Sequence, residues 1–261
     1  GGRPCSRSPR PPLRRSGRTS STGSAWTASG IAWALTRAGS LLGDERLAAL
    51  AREALEYERT LFDAEAANWR DVRADGTPGA AASHPVLWCH GAAGIALARV
   101  ELCAELDDAR LRQERAVALT TVARDGFGHN FSLCHGDLGN LDPLLLAGGA
   151  AADTALRQAA VTLDALEARG WVCGMPSGVH SPSLMTGVAG IGYGLLRLAA
   201  PEAVPSLLAL RPPGATPALP EPTTTVDSGD DRDVVTLHSD HNHQVASGVN
   251  YDGPDYGDEL W

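Results

Sequence analysis

The stretch Gly91-Ala92-Ala93-Gly94-Ile95 sets two glycines three positions apart and leads into a run rich in alanine and leucine. Related stretches precede similar runs at Ala28-Ser29-Gly30-Ile31-Ala32, Gly136-Asp137-Leu138-Gly139-Asn140 and Gly187-Val188-Ala189-Gly190-Ile191. The corresponding glycines, at positions 30, 94, 139 and 190, are 64, 45 and 51 residues apart. An internal repeat of this kind predicts helix pairs that bury their apolar faces only by stacking on one another.

The segments between these stretches have the apolar spacing of amphipathic outer helices. Their predicted N-caps are Asp44, Asp107 or Asp108, and Asp153, and the last two helices are predicted to end at Gly126 and Gly170. No long alternating strand pattern occurs in the sequence. We therefore predict an all-α protein in which each repeat consists of an inner helix, a loop and an outer helix.

Cys89, Cys134 and His135 stand just before two of the predicted inner helices. If these helix starts face the centre of a ring, neighbouring loops bring the three side chains to one end of the central cavity. Two thiolates and one imidazole leave the fourth position of a zinc ion open, which is typical of a catalytic metal. The 45 residues between the cysteines far exceed the spacing of a zinc-finger clip. The alternative is that both cysteines are ordinary buried apolar residues, with His90 and His135 capping helix starts.

Three blocks of the chain resemble the signature of a known family. They are Trp88-Cys89-His90-Gly91-Ala92-Ala93-Gly94-Ile95, Ser132-Leu133-Cys134-His135-Gly136-Asp137-Leu138-Gly139-Asn140 and Leu184-Met185-Thr186-Gly187-Val188-Ala189-Gly190-Ile191-Gly192-Tyr193-Gly194. Their order and intervals resemble the cyclase domain of lanthipeptide synthetases, the lanthionine synthetase C-like proteins. The resemblance covers about residues 28–211. A histidine that directly follows the candidate zinc-binding cysteine is the form most similar to that of the bifunctional class II enzymes.

The resemblance implies an α/α toroid of seven helical hairpins, of which about four repeats are visible as a partial ring. It also implies a catalytic zinc ion bound by Cys89, Cys134 and His135. The implied reaction adds cysteine thiols of a dehydrated, ribosomally made precursor peptide to dehydroalanine or dehydrobutyrine, which closes thioether rings. A dehydratase region precedes this domain in class II enzymes, so we expect the chain to be the carboxy-terminal part of one.

The addition needs a general acid to protonate the α-carbon, and we predict His90 in this role. The alternative is that His90 contacts the substrate or a metal ligand.

Where the family typically has Ser-His-Gly, this chain has Ala25-Trp26-Thr27. Tryptophan cannot transfer a proton, so the second hypothesis is an inactive scaffold that binds zinc or peptide. A glycoside-processing α/α toroid ranks last, because such chemistry uses paired carboxylates and only Asp137 stands in a repeat block.

The two ends differ in composition from residues 25–211, which we assign to the cyclase-like domain. Residues 1–24 contain six arginines, four prolines and no acidic residue, which predicts a disordered basic leader, interpreted as foreign to the family sequence. The leader lacks interleaved aromatic residues, so nucleic-acid binding is not expected. Residues 212–261 contain ten acidic residues and one arginine, which predicts a disordered acidic tail. Its histidines, His238, His241 and His243, form a weak candidate metal tract, although incidental histidines are the favoured interpretation.

Two further observations concern the environment of the protein. No apolar run is long enough to span a membrane. The five cysteines are odd in number and follow no disulfide-like pattern, which suits a reducing compartment. We therefore expect a cytoplasmic location.

Overall fold

The computed structural model describes residues 25–72, 82–176 and 179–212, which all fall within one compact unit. The predicted leader 1–24 and residues 213–261 of the predicted tail, with His238, His241 and His243, lie outside the described residues. The division into three regions therefore stays a prediction.

The described residues form seven helices and one short hairpin of two strands. The helices are α1 (Ala25–Leu42), α2 (Glu45–Arg59), α3 (Ala92–Glu105), α4 (Ala109–Asp125), α5 (Asp137–Ala147), α6 (Gly149–Arg169) and α7 (Val188–Ala199). The strands β1 (Phe62–Asp63) and β2 (Asn68–Trp69) pair antiparallel, with Phe62 opposite Trp69. The prediction of an all-α fold is confirmed.

The helices pair in the predicted order of inner and outer helix. Helices α1 and α2, α3 and α4, and α5 and α6 form three hairpins, and the inner helices α1, α3, α5 and α7 contact one another in succession. The fourth repeat is represented in the described residues by α7, which is followed by turns up to Leu210. The described residues thus contain four inner helices and three complete hairpins.

Two of the predicted helix starts are confirmed, and one is wrong. The Asp44 side chain accepts a hydrogen bond from Arg46 N at 2.9 Å, and Asp108 is the N-cap of α4. Asp153 is not a cap, because α6 already begins at Gly149. Gly148, with φ of +71°, ends α5 and precedes α6 directly, so the outer helix starts one turn before the predicted position.

Small residues let neighbouring inner helices pack closely. Residues Ala92, Ala93, Ile95 and Ala96 of α3 are completely buried. At Gly194 of α7, an added Cβ would lie 2.9 Å from the Cβ of Leu138 on α5. The glycine- and alanine-rich patterns therefore set the short distances between neighbouring inner helices.

A buried ion network joins the first two hairpins. Arg99 on α3 and Glu58 on α2 are completely buried and form an ion pair, and Ser29 on α1 donates a hydrogen bond to Glu58. Arg99 Nε also lies 2.8 Å from Glu114 on α4. Burial raises the pKa of Glu58, while Arg99 and Ser29 act in the opposite direction. A charge buried in this way needs its partner, and the network connects side chains from four helices.

The helices within the described ranges include none that combines the length and the apolar character needed to cross a membrane.

Candidate metal centre

The loops before α3, α5 and α7 have the same backbone hydrogen bond. The amide nitrogen that starts each helix donates to a carbonyl seven residues earlier, from Ala92 to Pro85 at 3.3 Å, from Asp137 to Asn130 at 2.8 Å, and from Val188 to Ser181 at 2.8 Å. Each loop therefore folds back on its own helix start. The repeat seen in the sequence is a repeat of backbone geometry.

Glycine is required at these helix starts because backbone atoms of the preceding loop approach too closely for a side chain. An added Cβ would lie 1.9 Å from the carbonyl oxygen of Leu133 at Gly139, and 1.9 Å from that of Leu184 at Gly190. Gly91 has a φ of +92°, and its Cβ would lie 1.7 Å from the oxygen of Pro85. These three glycines thus let each loop pack directly against the start of its helix, which is a close-approach use of glycine.

Backbone hydrogen bonds also join each loop to the next. The amide of Cys89 donates to the carbonyl of Cys134 at 3.1 Å, and the amide of Cys134 donates to the carbonyl of Met185 at 2.9 Å. The three loops therefore lie side by side, with equivalent positions of successive repeats in contact. This contact brings together cysteines that are 45 residues apart in the sequence.

Cys89, Cys134 and His135 form a cluster in which one ligand atom from each residue lies within 4.8 Å of the others. All three residues are half-buried. Tetrahedral zinc with bonds of about 2.3 Å to sulfur and 2.0–2.1 Å to nitrogen would separate these atoms by roughly 3.5–3.8 Å. The cluster is therefore close to the size that such an ion needs, and soft sulfur with imidazole is a donor set that suits zinc. The residues present fit a three-ligand zinc site.

The two residues from the third repeat influence each other's ionisation. The pKa of Cys134 is lowered to about 5, first by a hydrogen bond with Cys89 and then by hydrogen bonding and charge from His135, against the effect of burial. The pKa of His135 is raised, chiefly by its hydrogen bond with Cys134. The cluster thus favours a Cys134 thiolate at neutral pH, and the thiolate in turn favours the protonated form of His135.

His135 is held by one main-chain group and two side chains. Its Nε2 lies 2.7 Å from the carbonyl oxygen of Gly174. The amide of His135 donates to Ser132 Oγ at 3.4 Å, and its carbonyl accepts from the Asn130 side chain at 3.2 Å. Sequence analysis did not identify Gly174, Ser132 or Asn130 as part of the site. The loop before α7 has the matching residues Ser181 and Ser183, so a comparison of the repeats was the available signal for two of the three.

The other histidines and cysteines of the described residues, and Trp26, lie in different surroundings. His90 is half-buried in the loop before α3, where its amide donates to Leu87 O at 3.2 Å, and its role stays a prediction. His129 and His180 are exposed. The four cysteines in the described residues form no disulfide, and Cys103 is half-buried on α3 while Cys173 lies in the core. Trp26 belongs to the first turn of α1, and its side chain lies outside the described residues.

Comparison with known proteins gives two findings. A family model described as lanthionine synthetase C-like protein matches residues 7–209. The lacticin 481/lactococcin biosynthesis protein LcnDR2 of Lactococcus lactis subsp. lactis is 31% identical over 135 residues. That similarity covers 44% of this chain and 14% of the relative, so the chain corresponds to a small part of the relative's length.

Proposed function

The chain belongs to the lanthionine synthetase C-like family, and on that premise we propose that it is a zinc-dependent lanthipeptide cyclase. Its substrate would be a dehydrated, cysteine-containing precursor peptide made on the ribosome. The reaction would add a cysteine thiol to the β-carbon of dehydroalanine or dehydrobutyrine and close a thioether ring. This proposal agrees with the similarity to a protein named for lacticin 481 biosynthesis.

The convergence of Cys89, Cys134 and His135 within 4.8 Å carries the proposal. Zinc bound by these three groups would leave one position open, where a substrate thiol would be held as its thiolate. The three side chains come from two loops that are joined by the hydrogen bond from Cys89 N to Cys134 O. The chain itself therefore supplies a prearranged set of donors at the end of its inner helices.

The proposed reaction also needs a proton for the α-carbon of the substrate. The sulfur forms a bond to the β-carbon and loses its proton, and the α-carbon gains one, so the mass of the peptide does not change. We propose that His90 delivers the proton to the α-carbon, because it is adjacent to the ligand Cys89 in the same loop. Histidine suits this role since its ordinary pKa lies near neutral pH.

A second candidate function is an inactive scaffold that binds zinc or peptide. The observation that favours it is Trp26, which stands where the family typically has a histidine capable of proton transfer. In either case we propose a cytoplasmic location, since the described cysteines form no disulfide, and cooperation with a dehydratase that supplies the dehydrated peptide.

The test is ring formation by the purified chain on a dehydrated peptide that contains cysteine. Because the mass is unchanged, rings are counted as thiols that no longer react with an alkylating agent, by mass spectrometry. We expect ring formation above the rate without protein, and its loss in Cys134→Ala. Cys103→Ala is the matched control, because it removes a thiol from α3 and should leave the activity unchanged. Zinc and peptide binding without ring formation would instead identify the scaffold.

The role of His90 requires a separate variant. His90→Gln should keep one zinc ion per chain and slow ring formation, because the general acid is lost while the three ligands remain. Zinc content and ring formation are measured on the same preparation. A variant that keeps both the zinc content and the rate of ring formation of the parent chain would remove His90 from the proposal and leave the metal centre in place.

A further inference from the structure

We infer that Gly174 is a positioning residue of the metal centre: its carbonyl oxygen binds Nε2–H of His135 and so directs Nδ1 towards the metal. The inference rests on the proposed zinc function and extends it to the segment between the third and fourth repeats. It assigns a role in the site to a residue without a side chain.

The hydrogen bond decides which ring nitrogen is available. Nε2 of His135 lies 2.7 Å from the oxygen of Gly174, and a carbonyl oxygen can only accept, so Nε2 carries the proton. In the neutral imidazole the other nitrogen, Nδ1, then has the free lone pair. A histidine that binds a metal usually donates its second N–H to a carbonyl or carboxylate, which holds the ring in orientation. Gly174 supplies that carbonyl.

Glycine is needed at this position for space. A Cβ at residue 174 would lie 2.5 Å from His135 Nε2 and 2.5 Å from Ser132 Oγ. Gly174 is not among the glycines with a positive φ, so any residue could adopt its backbone conformation. A side chain there would therefore act by pushing the imidazole away from the carbonyl.

The fourth repeat holds Gly174 in place. The amide of Gly174 donates to the carbonyl of Thr186 at 2.8 Å, and Thr186 Oγ1 donates to Sδ of Met175 at 3.3 Å. On the upstream side, the amide of Phe131 donates to the carbonyl of Val172 at 2.9 Å. The loop before α7 thus contributes no ligand to the cluster, yet it fixes the group that orients His135.

The first experiment uses the unmodified chain loaded with zinc and labelled with ¹⁵N-histidine. Nuclear magnetic resonance identifies the metal-bound and the protonated ring nitrogen, and His135→Gln assigns the signal. We expect zinc on Nδ1 and a proton on Nε2. Zinc on Nε2 would overturn the inference and leave the proposed metal site intact, whereas a chain that binds no zinc would overturn both.

The second experiment compares Gly174→Ala with Gly192→Ala. The alanine at 174 should lower the zinc affinity by about 10- to 100-fold, the usual effect of losing a partner of a metal ligand, and should weaken the Nε2–H signal. Gly192 on α7 has no atom within 4 Å of an added Cβ, so its alanine variant should bind zinc like the parent chain. Unchanged affinity in a folded Gly174→Ala would refute the inference. If that variant does not fold, the ¹⁵N experiment on the parent chain decides.

Discussion

The loops before α5 and α7 share a backbone but differ in chemistry. In each, a polar side chain accepts the amide two residues later, Asn130 from Ser132 at 2.9 Å and Ser181 from Ser183 at 3.2 Å. In each, the next serine hydroxyl accepts an amide three residues on at 3.4 Å, from His135 and from Thr186. The positions that carry Cys134 and His135 in one loop carry Met185 and Thr186 in the other.

This difference separates what builds the loop from what makes it reactive. The backbone hydrogen bonds and the glycines are repeated, so they belong to the architecture. Of these two loops, only the one before α5 carries a thiol and an imidazole, and its thiol can become a thiolate. A methionine thioether has no proton to lose. The loop before α7 therefore supports the site through its carbonyl groups. One scaffold thus serves as ligand donor in one repeat and as support in the next.

The largest effect is expected when a ligand side chain of the loop before α5 is removed and its backbone is kept. Cys134→Ala should lower zinc affinity by more than about 100-fold, since losing a ligand should exceed the 10- to 100-fold effect of losing a ligand's partner. Competition with a chelator measures the affinity. Cys103→Ala should bind zinc like the parent chain. Equal affinities in the two variants would place the metal elsewhere.

The next largest effect is expected from substitutions that disturb the backbone arrangement shared by the loops before α5 and α7. Gly139→Ala and Gly190→Ala each put a Cβ 1.9 Å from a backbone carbonyl, so both should lower the free energy of unfolding by about 1–3 kcal/mol. Gly139→Ala should also weaken zinc binding more strongly, because it displaces the loop that carries two ligands. Denaturant unfolding and chelator competition on the matched pair test this. Equal loss of affinity in both would mean that the loops cannot be separated into donor and support.

A third effect is the pH dependence of the thiol in the metal-free chain. With a pKa of about 5, compared with an ordinary value of 9.0, Cys134 should be alkylated with a midpoint near pH 5. Burial raises the pKa of Cys103, so its alkylation should increase only in alkaline solution. Because the folded-state pKa is the lower one, the stabilisation from the thiolate is complete above about pH 9, declines as the pH falls, and is lost below about pH 5.

Alkylation at each pH is followed by mass spectrometry of the peptides that contain the two cysteines. A midpoint for Cys134 near that of Cys103 would contradict the electrostatic difference between the two sites.

The smallest effect is expected at Met185. Its carbonyl binds the amide of Cys134, and this group remains in Met185→Ala, so zinc affinity should change far less than in Cys134→Ala. The same chelator competition measures it. A loss as large as that of Cys134→Ala would show that the Met185 side chain has a direct part in the site, and would end the distinction between the loops.

The sequence by itself determined the helical repeat, because the spacing of small and apolar residues follows directly from how helices pack. It also indicated Cys89, Cys134 and His135 as candidate ligands, since their place just before inner helices resembles a family signature. The start of α6 was misplaced at Asp153 because the tight connection at Gly148 has no capping side chain that a sequence pattern would show.

Only the tertiary structure decided how the candidate ligands meet and what supports them. The hydrogen bonds from Cys89 to Cys134 and from Cys134 to Met185 join residues that are far apart in the chain, and a local pattern contains no information on such pairing. The carbonyl of Gly174 that holds His135 is a backbone group, which every residue has. Its role therefore depends on its position in space, and residue type alone could not indicate it.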